Sequence, residues 1–595
     1  MIVLGYNGFS KSAEIFGRLF RATGIDRHLL YGHDSSVALV IDGQLVAAAE
    51  EERFNRQKKT SQFPIHAMRW CLDQAGISLK DVDTFAFSWK FTDEVMNAML
   101  REITDDPKCT TTAKFGRLSR LGEAYAALYS EDAIVDDFRT HTGFDLDPAN
   151  LIMVPHHLAH LMTGYHLAGS SDAAFVVSDG RAEWLSAIAG EVRDGQINTF
   201  DDLSITSRHS LAMLYSVITR YLGFVPNNDE YKVMGLAGYG EPPAIADNPF
   251  LTHVISVASD GTYTIPYAAN EIPAYYALFD QIFGATKPEE REEFDFRVRV
   301  GCAAQQMIEV ATAAQLTEVD RRTDLPKLLL EGGLALNCVN NSKLLEASSF
   351  TEMDVSFGAS DVGVGIGAAL YASQLIDAPP RVTTTAYLGP SYTNAQIQEA
   401  LQSFSTHVTW RELDQDAVIR ETATLLTQKC VIGWFQGRME FGPRALGNRS
   451  ILANPSYPDI KDIINERIKH REQFRPFAPV ILEELAPKVF DMGKKTSSPF
   501  MTFVFDVRSD YRDLIQGACH VDGTARIQTV NERQNPVLAE LLRAFTAASD
   551  VPCLINTSFN VAGEPIVCSP ADAISCYLNT EMDYLVLGNF LVTRA

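Results

Sequence analysis

A strand–turn–strand pattern with an Asp-Gly turn occurs twice in the N-terminal part of this sequence, and no other feature constrains the fold as strongly. The two units are residues 35–41, 42–43 and 45–49, and residues 173–177, 178–180 and 184–192. Asp-Gly between apolar runs is a strong local signal for a hairpin. The repetition predicts an internally duplicated α/β domain that holds phosphates in its turns, with two unrelated hairpins as the alternative.

The chain is too long for a single hydrophobic core, because 595 residues exceed the size at which chains usually divide into domains. Its composition turns to Pro and Thr at residues 378–385, which is typical of a linker. We therefore predict an N-terminal domain over residues 1–375, a linker over 376–388 and a C-terminal domain over 389–595.

Local patterns predict several further elements. Spaced apolar residues predict helices over residues 65–75 and 300–319. The apolar runs 431–435 and 479–482 predict strands, so the C-terminal domain is also expected to be α/β.

Charge and cysteine usage restrict the partners and the compartment. The net charge of -24 repels phosphate backbones, so no nucleic-acid partner is expected. The nine cysteines are scattered without a CxxC pair, which argues against a disulfide framework or a zinc ribbon. Without a signal-like N-terminus or a long apolar segment, we expect a cytoplasmic protein that does not enter a membrane.

Two histidines and two aspartates form a candidate metal site. His156 and His160 are four residues apart and would share one face of a helix. Asp179 lies in an Asp-Gly turn, and Asp361 lies in the glycine-rich run of residues 358–367. Imidazoles with carboxylates and no thiolate suit Fe(II), Mn(II) or Zn(II). An isolated HxxxH is otherwise a helix-surface pair, and the glycine-flanked aspartates favour the metal.

Two weaker signals lie in loops of the N-terminal domain. Gly332 and Gly333 follow an apolar run, where a ligand can approach the backbone closely, and Asn337 could bond a ribose or a base. An ordinary tight turn is the alternative. His33 precedes Asp34 and could act as a general base toward an alcohol, although such a pair is often a loop hydrogen bond.

The C-terminal domain gathers basic residues in loops, which is unusual in so acidic a chain. Residues 436–450 (QGRMEFGPRALGNRS) contain three arginines among turn-forming residues. The further members are Lys469, Arg471, Arg475, Arg526 and the 556–560 segment (NTSFN). Guanidinium groups, a lysine and hydroxyls suit a phosphate dianion and a triphosphate. Surface pairing with acids such as Glu466 and Glu472 is the alternative.

Together these motifs resemble the nodulation-protein and antibiotic-biosynthesis O-carbamoyltransferase family over essentially the whole chain. The matching segments, in order, are HDSS at 33–36, EEERFNRQKK at 50–59, HHLAH at 156–160, SDG at 178–180, NDEYKVMGLAGYG at 228–240, EGGLALN at 331–337, ASDVGVGIGAAL at 359–370, GRMEFGPRALGNRSILANP at 437–455, KHREQFRPFAP at 469–479 and NTSFNVAGEPIV at 556–567.

The resemblance implies an architecture and a reaction. It implies an N-terminal duplicated actin/Hsp70-like (ASKHA) domain and a C-terminal YrdC-like α/β domain. The C-terminal domain would make carbamoyl-adenylate from carbamoyl phosphate and ATP, with Mg accompanying the ATP. The N-terminal domain would transfer the carbamoyl group to a hydroxyl of a small molecule.

The resemblance also implies roles for individual residues. An iron ion would be bound by His156, His160, Asp179 and Asp361. The nucleotide or carbamoyl-adenylate would contact Gly180, Glu230, Lys232, Gly332, Gly333 and Asn337. Carbamoyl phosphate and ATP would be bound by Arg444, Lys469, Arg475, Arg526, Ser558 and Asn560. We place His33, with Asp34, as the base or hydrogen-bond partner during transfer.

This chain departs from the family pattern in two places. Residues 9–31 intervene between the first strand and His33, and they could form part of the acceptor pocket, a lid or a surface helix. Arg181, Ala182 and Glu183 follow the SDG segment where the family often has another glycine, which makes a phosphate contact there less certain. Family acceptors include sugars, aminoglycosides, cephem alcohols and macrocyclic polyketides, and the apolar insertion favours a large, partly apolar one.

Three other functions are compatible with parts of the sequence. A fused threonylcarbamoyl-adenylate synthase and tRNA threonylcarbamoyltransferase would need a basic face for tRNA. A nucleotide-binding regulator without catalysis would not need the complete set of candidate ligands. A metal-dependent hydrolase or ATPase based on HxxxH alone leaves the C-terminal basic loops unexplained.

Overall fold

The computed structural model describes residues 1–20, 24–29, 32–107, 109–169, 171–285, 287–376 and 385–595. It contains two compact α/β units. The first comprises Met1–Glu52, Lys59–Leu336 and Ala347–Thr384, and the second comprises Arg53–Lys58, Asn337–Glu346 and Thr385–Ala595. Of the linker predicted at 376–388, residues 377–384 lie outside the described residues.

The first sheet of the first unit has five strands. They are β1 (Ile2–Asn7), β2 (Ser36–Ile41), β3 (Gln44–Glu50), β4 (Thr84–Phe87) and β5 (Leu151–Met153). Their order is β3-β2-β1-β4-β5, with β2 antiparallel to its two neighbours and β1, β4 and β5 parallel. The hairpin predicted over residues 35–49 is confirmed.

A second sheet repeats this arrangement. Its strands are β6 (Ala173–Ser178), β7 (Leu185–Arg193), β8 (Gln196–Thr199), β9 (Ile205–Thr206), β12 (Lys327–Glu331) and β13 (Glu352–Val355), while β10 (Ser256–Val257) and β11 (Tyr263–Thr264) form a separate hairpin. The order β8-β7-β6-β12-β13 has the same sequence of antiparallel and parallel pairs as the first sheet. The predicted duplication is therefore confirmed.

The predicted correspondence between the two repeats is wrong. Asp42-Gly43 joins β2 to β3, so its counterpart is Asp194-Gly195 between β7 and β8, and not Asp179-Gly180. Asp179-Gly180 follows β6 and corresponds to Gly8-Phe9 after β1. Asp42 Oδ1 accepts a hydrogen bond from the N-terminal amine at 2.7 Å, so its carboxylate is engaged locally, as in an ordinary turn. Asp-Gly chemistry favours any tight reversal, so it does not identify which strands are joined.

The α-helices of the N-terminal part of the chain belong to the first unit, except for residues 53–55 and 338–346, which belong to the second. They are α1 (Ser12–Phe20), α2 (Glu52–Asn55), α3 (Ile65–Ala75), α4 (Asp93–Asp105), α5 (Thr111–Ala124), α6 (Glu131–Thr142), α7 (His156–Leu167), α8 (Leu211–Tyr221), α9 (Glu230–Ala237), α10 (Pro249–His253), α11 (Ile272–Phe283), α12 (Phe294–Arg322), α13 (Cys338–Ala347) and α14 (Val364–Leu375). The helices predicted over 65–75 and 300–319 are α3 and part of α12. Nowhere in the described part of the chain does a helix have the length and hydropathy needed to cross a membrane.

Helices α7 and α14 pack directly on each other, and glycines make the close approach possible. A Cβ at Gly367 in α14 would lie 1.8 Å from the carbonyl oxygen of Ala159 in α7. A Cβ at Gly5 in β1 would lie 2.2 Å from the carbonyl oxygen of Gly365. Because α7 follows β5 and α14 follows β13, the duplication brings the N-terminal ends of two equivalent helices together.

The second unit is built on a mixed sheet of eight strands. Its order is β14-β24-β23-β15-β16-β22-β17-β21, and β18, β19 and β20 form a smaller sheet. The strands are β14 (Val408–Glu412), β15 (Ile432–Phe435), β16 (Arg449–Ala453), β17 (Ala478–Leu482), β18 (Phe490–Asp491), β19 (Val504–Val507), β20 (Thr524–Arg526), β21 (Gln528–Val530), β22 (Cys553–Ser558), β23 (Tyr584–Leu587) and β24 (Phe590–Arg594). The strands predicted at 431–435 and 479–482 are confirmed as β15 and β17.

Helices cover this sheet, and a π-helical turn follows α17. The helices are α15 (Asn394–Ser403), α16 (Gln415–Thr427), α17 (Ile460–Ile463), α18 (Ala486–Val489), α19 (Ser509–Arg512), α20 (Pro536–Ser549) and α21 (Pro570–Leu578), and the π-helical turn is Ile464–Lys469. The chain is thus α/β throughout, and the YrdC-like assignment of this unit stays a prediction.

Two segments from the N-terminal part of the chain belong to the second unit. Arg53 donates to the carbonyl oxygen of Gly442 at 2.8 Å, and Arg56 donates to those of Pro565 and Ile566 at 2.8 and 2.7 Å. In the other segment, Ser342 donates to the carbonyl oxygen of Val504 at 2.8 Å. The second unit is therefore completed by two segments that precede its main part, Thr385–Ala595, in the chain.

Candidate functional site

The four candidate metal ligands come together in the first unit. The ligand atoms of His156, His160, Asp179 and Asp361 all lie within 4.8 Å of one another. Asp361 Oδ1 lies 3.5 Å from Nε2 of both histidines, and Asp179 Oδ2 lies 3.8 Å from Nε2 of His156. Both histidines lie in the first turns of α7, Asp179 follows the last residue of β6, and Asp361 precedes α14. The duplicated topology therefore places two helix starts and one strand end around a single point.

Surrounding groups hold the members of this cluster in place. His156 Nδ1 lies 3.2 Å from the carbonyl oxygen of Ser88, and the imidazole packs on Trp89 with ring centroids 4.2 Å apart. A proton on Nδ1 leaves the Nε2 lone pair directed at the carboxylates. Asp179 accepts hydrogen bonds from the backbone N–H of Gly333 at 2.8 Å and of Arg181 at 3.3 Å.

The electrostatics of the cluster favour a positive charge at its centre. Burial lowers the pKa of His156, but the carboxylates of Asp361 and Asp179 outweigh burial and raise this pKa to about 10. Among the described residues, Nε2 of His156 and Nε2 of His160 have no hydrogen-bond partner despite complete burial. A divalent cation would satisfy both nitrogens and both carboxylates, so the donor set fits a metal.

His33 lies beside this cluster. Its Nδ1 is 3.1 Å from Asp34 Oδ2 and 3.8 Å from Asp361 Oδ2. Lys59 Nζ contacts the same oxygen of Asp34 at 2.8 Å, and this ammonium with His33 holds the pKa of Asp34 below its usual range although burial opposes the shift. An ionised Asp34 accepts the Nδ1 proton, which leaves His33 Nε2 as the nitrogen that can receive a proton.

Residues of the first sheet support these loops. Asn7 Nδ2 at the end of β1 donates to the carbonyl oxygens of His33, Asp34 and Asp361 at 3.3 to 3.5 Å. Ser36 Oγ at the start of β2 donates to the carbonyl oxygen of Val362 at 2.7 Å. One strand end thus connects the His33 loop to the turn that carries Asp361.

Two glycines predicted to contact the nucleotide support Asp179. Gly332 has a φ of +90°, and a Cβ there would lie 2.2 Å from the carbonyl oxygen of Ser178. The backbone N–H of Gly333 donates a hydrogen bond to Asp179 Oδ1. Gly180 follows Asp179, and its carbonyl oxygen accepts a hydrogen bond from Ser210 Oγ at 2.7 Å. This turn is therefore organised around the Asp179 carboxylate.

The other predicted nucleotide contacts also have local partners. Glu230 accepts hydrogen bonds from Ser216 Oγ at 2.7 Å and from the N–H of Asn227 at 2.6 Å. Lys232 Nζ lies 3.0 Å from Asp229 Oδ2. Asn337 begins a segment of the second unit, where its Oδ1 accepts from the N–H of Asn340 at 3.0 Å.

Three of the predicted anion-binding residues form a cluster in the second unit. Lys469 Nζ contacts Ser558 Oγ at 3.2 Å and Asn560 Oδ1 at 2.8 Å, and Ser558 Oγ donates to Asn560 Oδ1 at 2.7 Å. Burial lowers the pKa of Lys469 well below its usual value, and the nearby Arg471 acts in the same direction. Arg475 lowers the pKa of Lys469 as well, so an anionic ligand would stabilise positive charge at this cluster.

The arginines of this unit divide into two groups. Arg449 is fully buried and donates to the carbonyl oxygens of Gln436 and Pro390, and Arg438 donates to that of Leu388, so both support the backbone. Burial lowers the pKa of Arg526, which lies close enough to Arg475 to be affected by its charge. Arg475 also contacts Glu472 at 3.6 Å, as the surface-pairing alternative anticipated. Arg444 is partly buried in the loop before β16.

Sequence reasoning missed several residues that shape the site. Lys59, Asn7, Trp89 and Glu183 were not among the candidates. Glu183 accepts the N–H of His156 at 2.9 Å and that of Lys90 at 2.8 Å, so it binds the N-terminal end of α7. Asn7 follows an apolar strand, a position from which its location at a sheet end could have been inferred. The partners of Lys59 and Glu183 lie 25 and 27 residues away, and no local pattern identifies them.

Comparison with known families gives two matches. A family model described as the carbamoyltransferase N-terminus matches residues 21–370, and one described as the carbamoyltransferase C-terminus matches residues 423–594. The second range lies within the Thr385–Ala595 part of the second unit.

Individual relatives match over long stretches. An uncharacterized protein of Synechocystis sp. is 35% identical over 95% of this chain and 95% of its own length. Nodulation protein NolNO of Sinorhizobium fredii is 34% identical over 100% of this chain and 83% of its own length. The 3'-hydroxymethylcephem-O-carbamoyltransferase of Amycolatopsis lactamdurans is 32% identical over 62% of this chain and 65% of its own length.

Proposed function

The chain belongs to the carbamoyltransferase family, and we propose that it is an ATP-dependent O-carbamoyltransferase that modifies a hydroxyl of a small molecule. The observation that carries the proposal is that the N-terminal match spans the candidate metal cluster while the C-terminal match spans the Lys469 cluster. The duplicated sheets support the actin/Hsp70-like assignment of the first unit, and the YrdC-like assignment of the second rests on the resemblance.

The first half of the reaction is assigned to the second unit. Water cleaves carbamoyl phosphate to carbamate and phosphate, and a carbamate oxygen then attacks the α-phosphorus of MgATP. Carbamoyl-adenylate forms and pyrophosphate leaves. Lys469, with Ser558 and Asn560, binds the anionic groups, and Arg444, Arg475 and Arg526 are the proposed additional contacts.

The second half is assigned to the first unit. The acceptor oxygen attacks the carbamoyl carbon, a C–O bond forms, the C–O bond to AMP breaks, and AMP leaves. The acceptor proton passes to His33 Nε2, while Asp34 holds the proton on Nδ1. When bound to His156, His160, Asp179 and Asp361, a divalent ion supplies Lewis acidity; Fe(II) is proposed, and Mn(II) or Zn(II) would suit the same donors.

The first test is pyrophosphate release from the purified protein with MgATP and carbamoyl phosphate, with and without a panel of hydroxylated natural products. We expect release that depends on carbamoyl phosphate and a carbamoylated product from one acceptor. His33→Asn should keep the release and slow transfer by about 10²-fold or more, because it lacks the accepting nitrogen. His253→Asn, at an exposed position, is the matched control.

Two results would contradict the proposal. One is pyrophosphate release that does not depend on carbamoyl phosphate but requires bicarbonate and threonine. This result would indicate the threonylcarbamoyl-adenylate reaction. The other is an equal loss of release and transfer in His33→Asn, which would remove His33 from the transfer step.

A further inference from the structure

A half-buried histidine, His520, lies in the second unit at the start of the turn that leads into β20. Its backbone N–H donates to the carbonyl oxygen of Thr524 at 2.7 Å, and its own carbonyl oxygen accepts the N–H of Gly523 at 3.0 Å. Its Nδ1 lies 3.1 Å from Thr524 Oγ1. The turn therefore fixes both the backbone of His520 and the side of β20 on which the imidazole lies.

The hydrogen bonds of Thr524 determine which nitrogen of His520 carries the proton in the neutral imidazole. Thr524 Oγ1 donates its single proton to Asp522 Oδ1 at 2.8 Å. The same oxygen can then only accept from His520, which places the imidazole proton on Nδ1. Among the described residues, none shares a hydrogen bond with Nε2 of His520. The Nε2 lone pair is therefore available to accept a proton.

The imidazole lies on the same face of β20 as Arg526. Side chains alternate along a strand, so Thr524 and Arg526 share one face and Ala525 lies on the other. Ala525 is buried, whereas Thr524 and Arg526 are both half-buried. His520, which contacts Thr524 on this face, therefore lies beside a guanidinium group that is proposed to bind carbamoyl phosphate.

Side-chain amides connect the end of β20 to two other parts of the second unit. Two residues beyond Arg526, Gln528 Nε2 donates to the carbonyl oxygen of Leu446 at 2.8 Å. Asn556 Nδ2 donates to Gln528 Oε1 at 2.7 Å and to the carbonyl oxygen of Ala445 at 3.2 Å. The loop before β16 and strand β22 therefore meet next to the residue that follows β20.

These two elements carry further residues proposed to bind anions. Arg444 lies in the loop before β16, and Ser558 is the last residue of β22, with its Oγ 3.2 Å from Lys469 Nζ. Burial lowers the pKa of both Arg526 and Lys469, and the charge of Arg475 acts in the same direction on each. The proposed site for carbamoyl phosphate thus includes the strand that follows the His520 turn.

The charges around His520 suit a group that accepts a proton once an anion is bound. Burial lowers its pKa to about 4; Arg526 and Lys461 act in the same direction, and Asp522 opposes them. The imidazole is therefore neutral at pH 7. A phosphate dianion beside Arg526 would offset the positive charge and raise the pKa of His520 again. Nε2 would then be a stronger base with the substrate than without it.

We infer that His520 is the general base for the hydrolysis of carbamoyl phosphate. The inference rests on the proposed function and assigns a residue to its first step. Nε2 takes a proton from water as the water oxygen bonds to the carbonyl carbon, and the C–O bond to phosphate then breaks. Phosphate leaves with the electron pair and receives the proton from the imidazolium. The carbamic acid that remains ionises to carbamate.

Two substrates separate this step from the formation of carbamoyl-adenylate. Freshly dissolved ammonium carbamate supplies carbamate directly, so pyrophosphate release from MgATP then requires no hydrolysis. His520→Asn keeps a donor for Thr524 but lacks the accepting nitrogen. With carbamoyl phosphate it should lower kcat about 10²-fold and leave KM unchanged, and with carbamate it should release pyrophosphate like the wild type.

His407→Asn is the matched control for this variant. His407 is an exposed histidine of the same unit, and its Nδ1 also lies beside a threonine hydroxyl, that of Thr406, at 2.8 Å. The exchange should leave the rates with both substrates unchanged.

A pair of variants at Thr524 tests the proton arrangement. Thr524→Val removes the acceptor for the Nδ1 proton and should lower kcat with carbamoyl phosphate, whereas Thr524→Ser keeps the hydroxyl and should retain it. Equal rates in these two variants would contradict the assigned tautomer and, with it, the inference.

The outcomes separate this inference from the proposed function. If His520→Asn keeps its kcat with carbamoyl phosphate, or loses release equally with both substrates, the inference is overturned while a wild type that depends on carbamoyl phosphate keeps the proposed function. If the wild type uses carbamoyl phosphate but not added carbamate, a raised KM with unchanged kcat in His520→Asn overturns the inference. A wild type that does not respond to carbamoyl phosphate rejects the proposed function itself.

Discussion

Asp361 is the member of the metal cluster that lies near both of its histidines and near His33. One of its oxygens lies 3.5 Å from both buried histidines, and the other lies 3.8 Å from His33. Asp361→Asn keeps the volume but removes the charge that a cation needs. We expect at least about tenfold less bound metal by elemental analysis of the purified protein. Asp247→Asn, on the surface, is the control, and equal metal content in both variants would contradict the metal site.

Glu331 makes stability depend on pH. Burial raises its pKa from 4.5 to about 8, although Ser356 donates to it through N–H and Oγ, both at 3.0 Å. Between pH 4.5 and 8 the folded state keeps a proton that the unfolded state releases, so stability falls as pH rises. The slope is about 1.4 kcal/mol per pH unit.

Glu331→Gln removes this titration. Denaturant unfolding from pH 5 to pH 8 should show the variant gaining stability relative to the wild type as pH rises. Glu352→Gln, exposed on the neighbouring strand β13, should follow the wild type throughout. Parallel pH profiles for the wild type and Glu331→Gln would show that Glu331 is ionised in the folded protein.

At the scale of elements, the packing of α7 on α14 sets the geometry of the cluster. Gly367→Ala would place a Cβ 1.8 Å from the carbonyl oxygen of Ala159, so the helices must move apart. We expect a loss of about 1–3 kcal/mol in the free energy of unfolding, together with reduced metal content, because α7 carries both histidines.

Gly122→Ala is the matched control for this prediction. Gly122 lies within α5, and a Cβ there meets no atom within 4 Å. The exchange should stabilise the protein by about 0.5–1 kcal/mol through helix propensity. If both alanine variants gain stability, the contact between α7 and α14 is looser than the structure shows.

At the scale of the whole molecule, the second unit depends on residues from the N-terminal part of the chain. A fragment of residues 385–595 lacks Arg53, Arg56 and Ser342, which donate to its carbonyl oxygens. Each lost hydrogen bond costs roughly 1 kcal/mol or more. The fragment should melt at a clearly lower temperature than the same unit in the full chain, as followed by circular dichroism. An unchanged cooperative transition would show that these segments are dispensable.

Ser342→Ala is the corresponding single change in the full chain. Its hydroxyl donates to the carbonyl oxygen of Val504 and accepts the N–H of the same residue at 2.9 Å. Because both partners would lose a bond, the variant should be destabilised by about 1–3 kcal/mol.

Much of the local structure follows from the sequence alone. The hairpin at residues 35–49, helix α3 and strands β15 and β17 were predicted because apolar periodicity and turn chemistry depend on neighbouring residues. The HxxxH spacing likewise places His156 and His160 on one helix face whatever the rest of the fold does. The repeat was visible, but its alignment was wrong, because an Asp-Gly turn carries no information about which strands pair.

Only the tertiary structure decided what these elements bring together. Asn7 and Asp361 are 354 residues apart in the chain, yet the side-chain amide of Asn7 donates a hydrogen bond to the carbonyl oxygen of Asp361. Their approach depends on two sheets of the same topology packing through α7 and α14, and no local pattern encodes that packing. Local backbone geometry fixes which residues share a face of an element, whereas the convergence of strand ends and helix starts depends on how the elements pack.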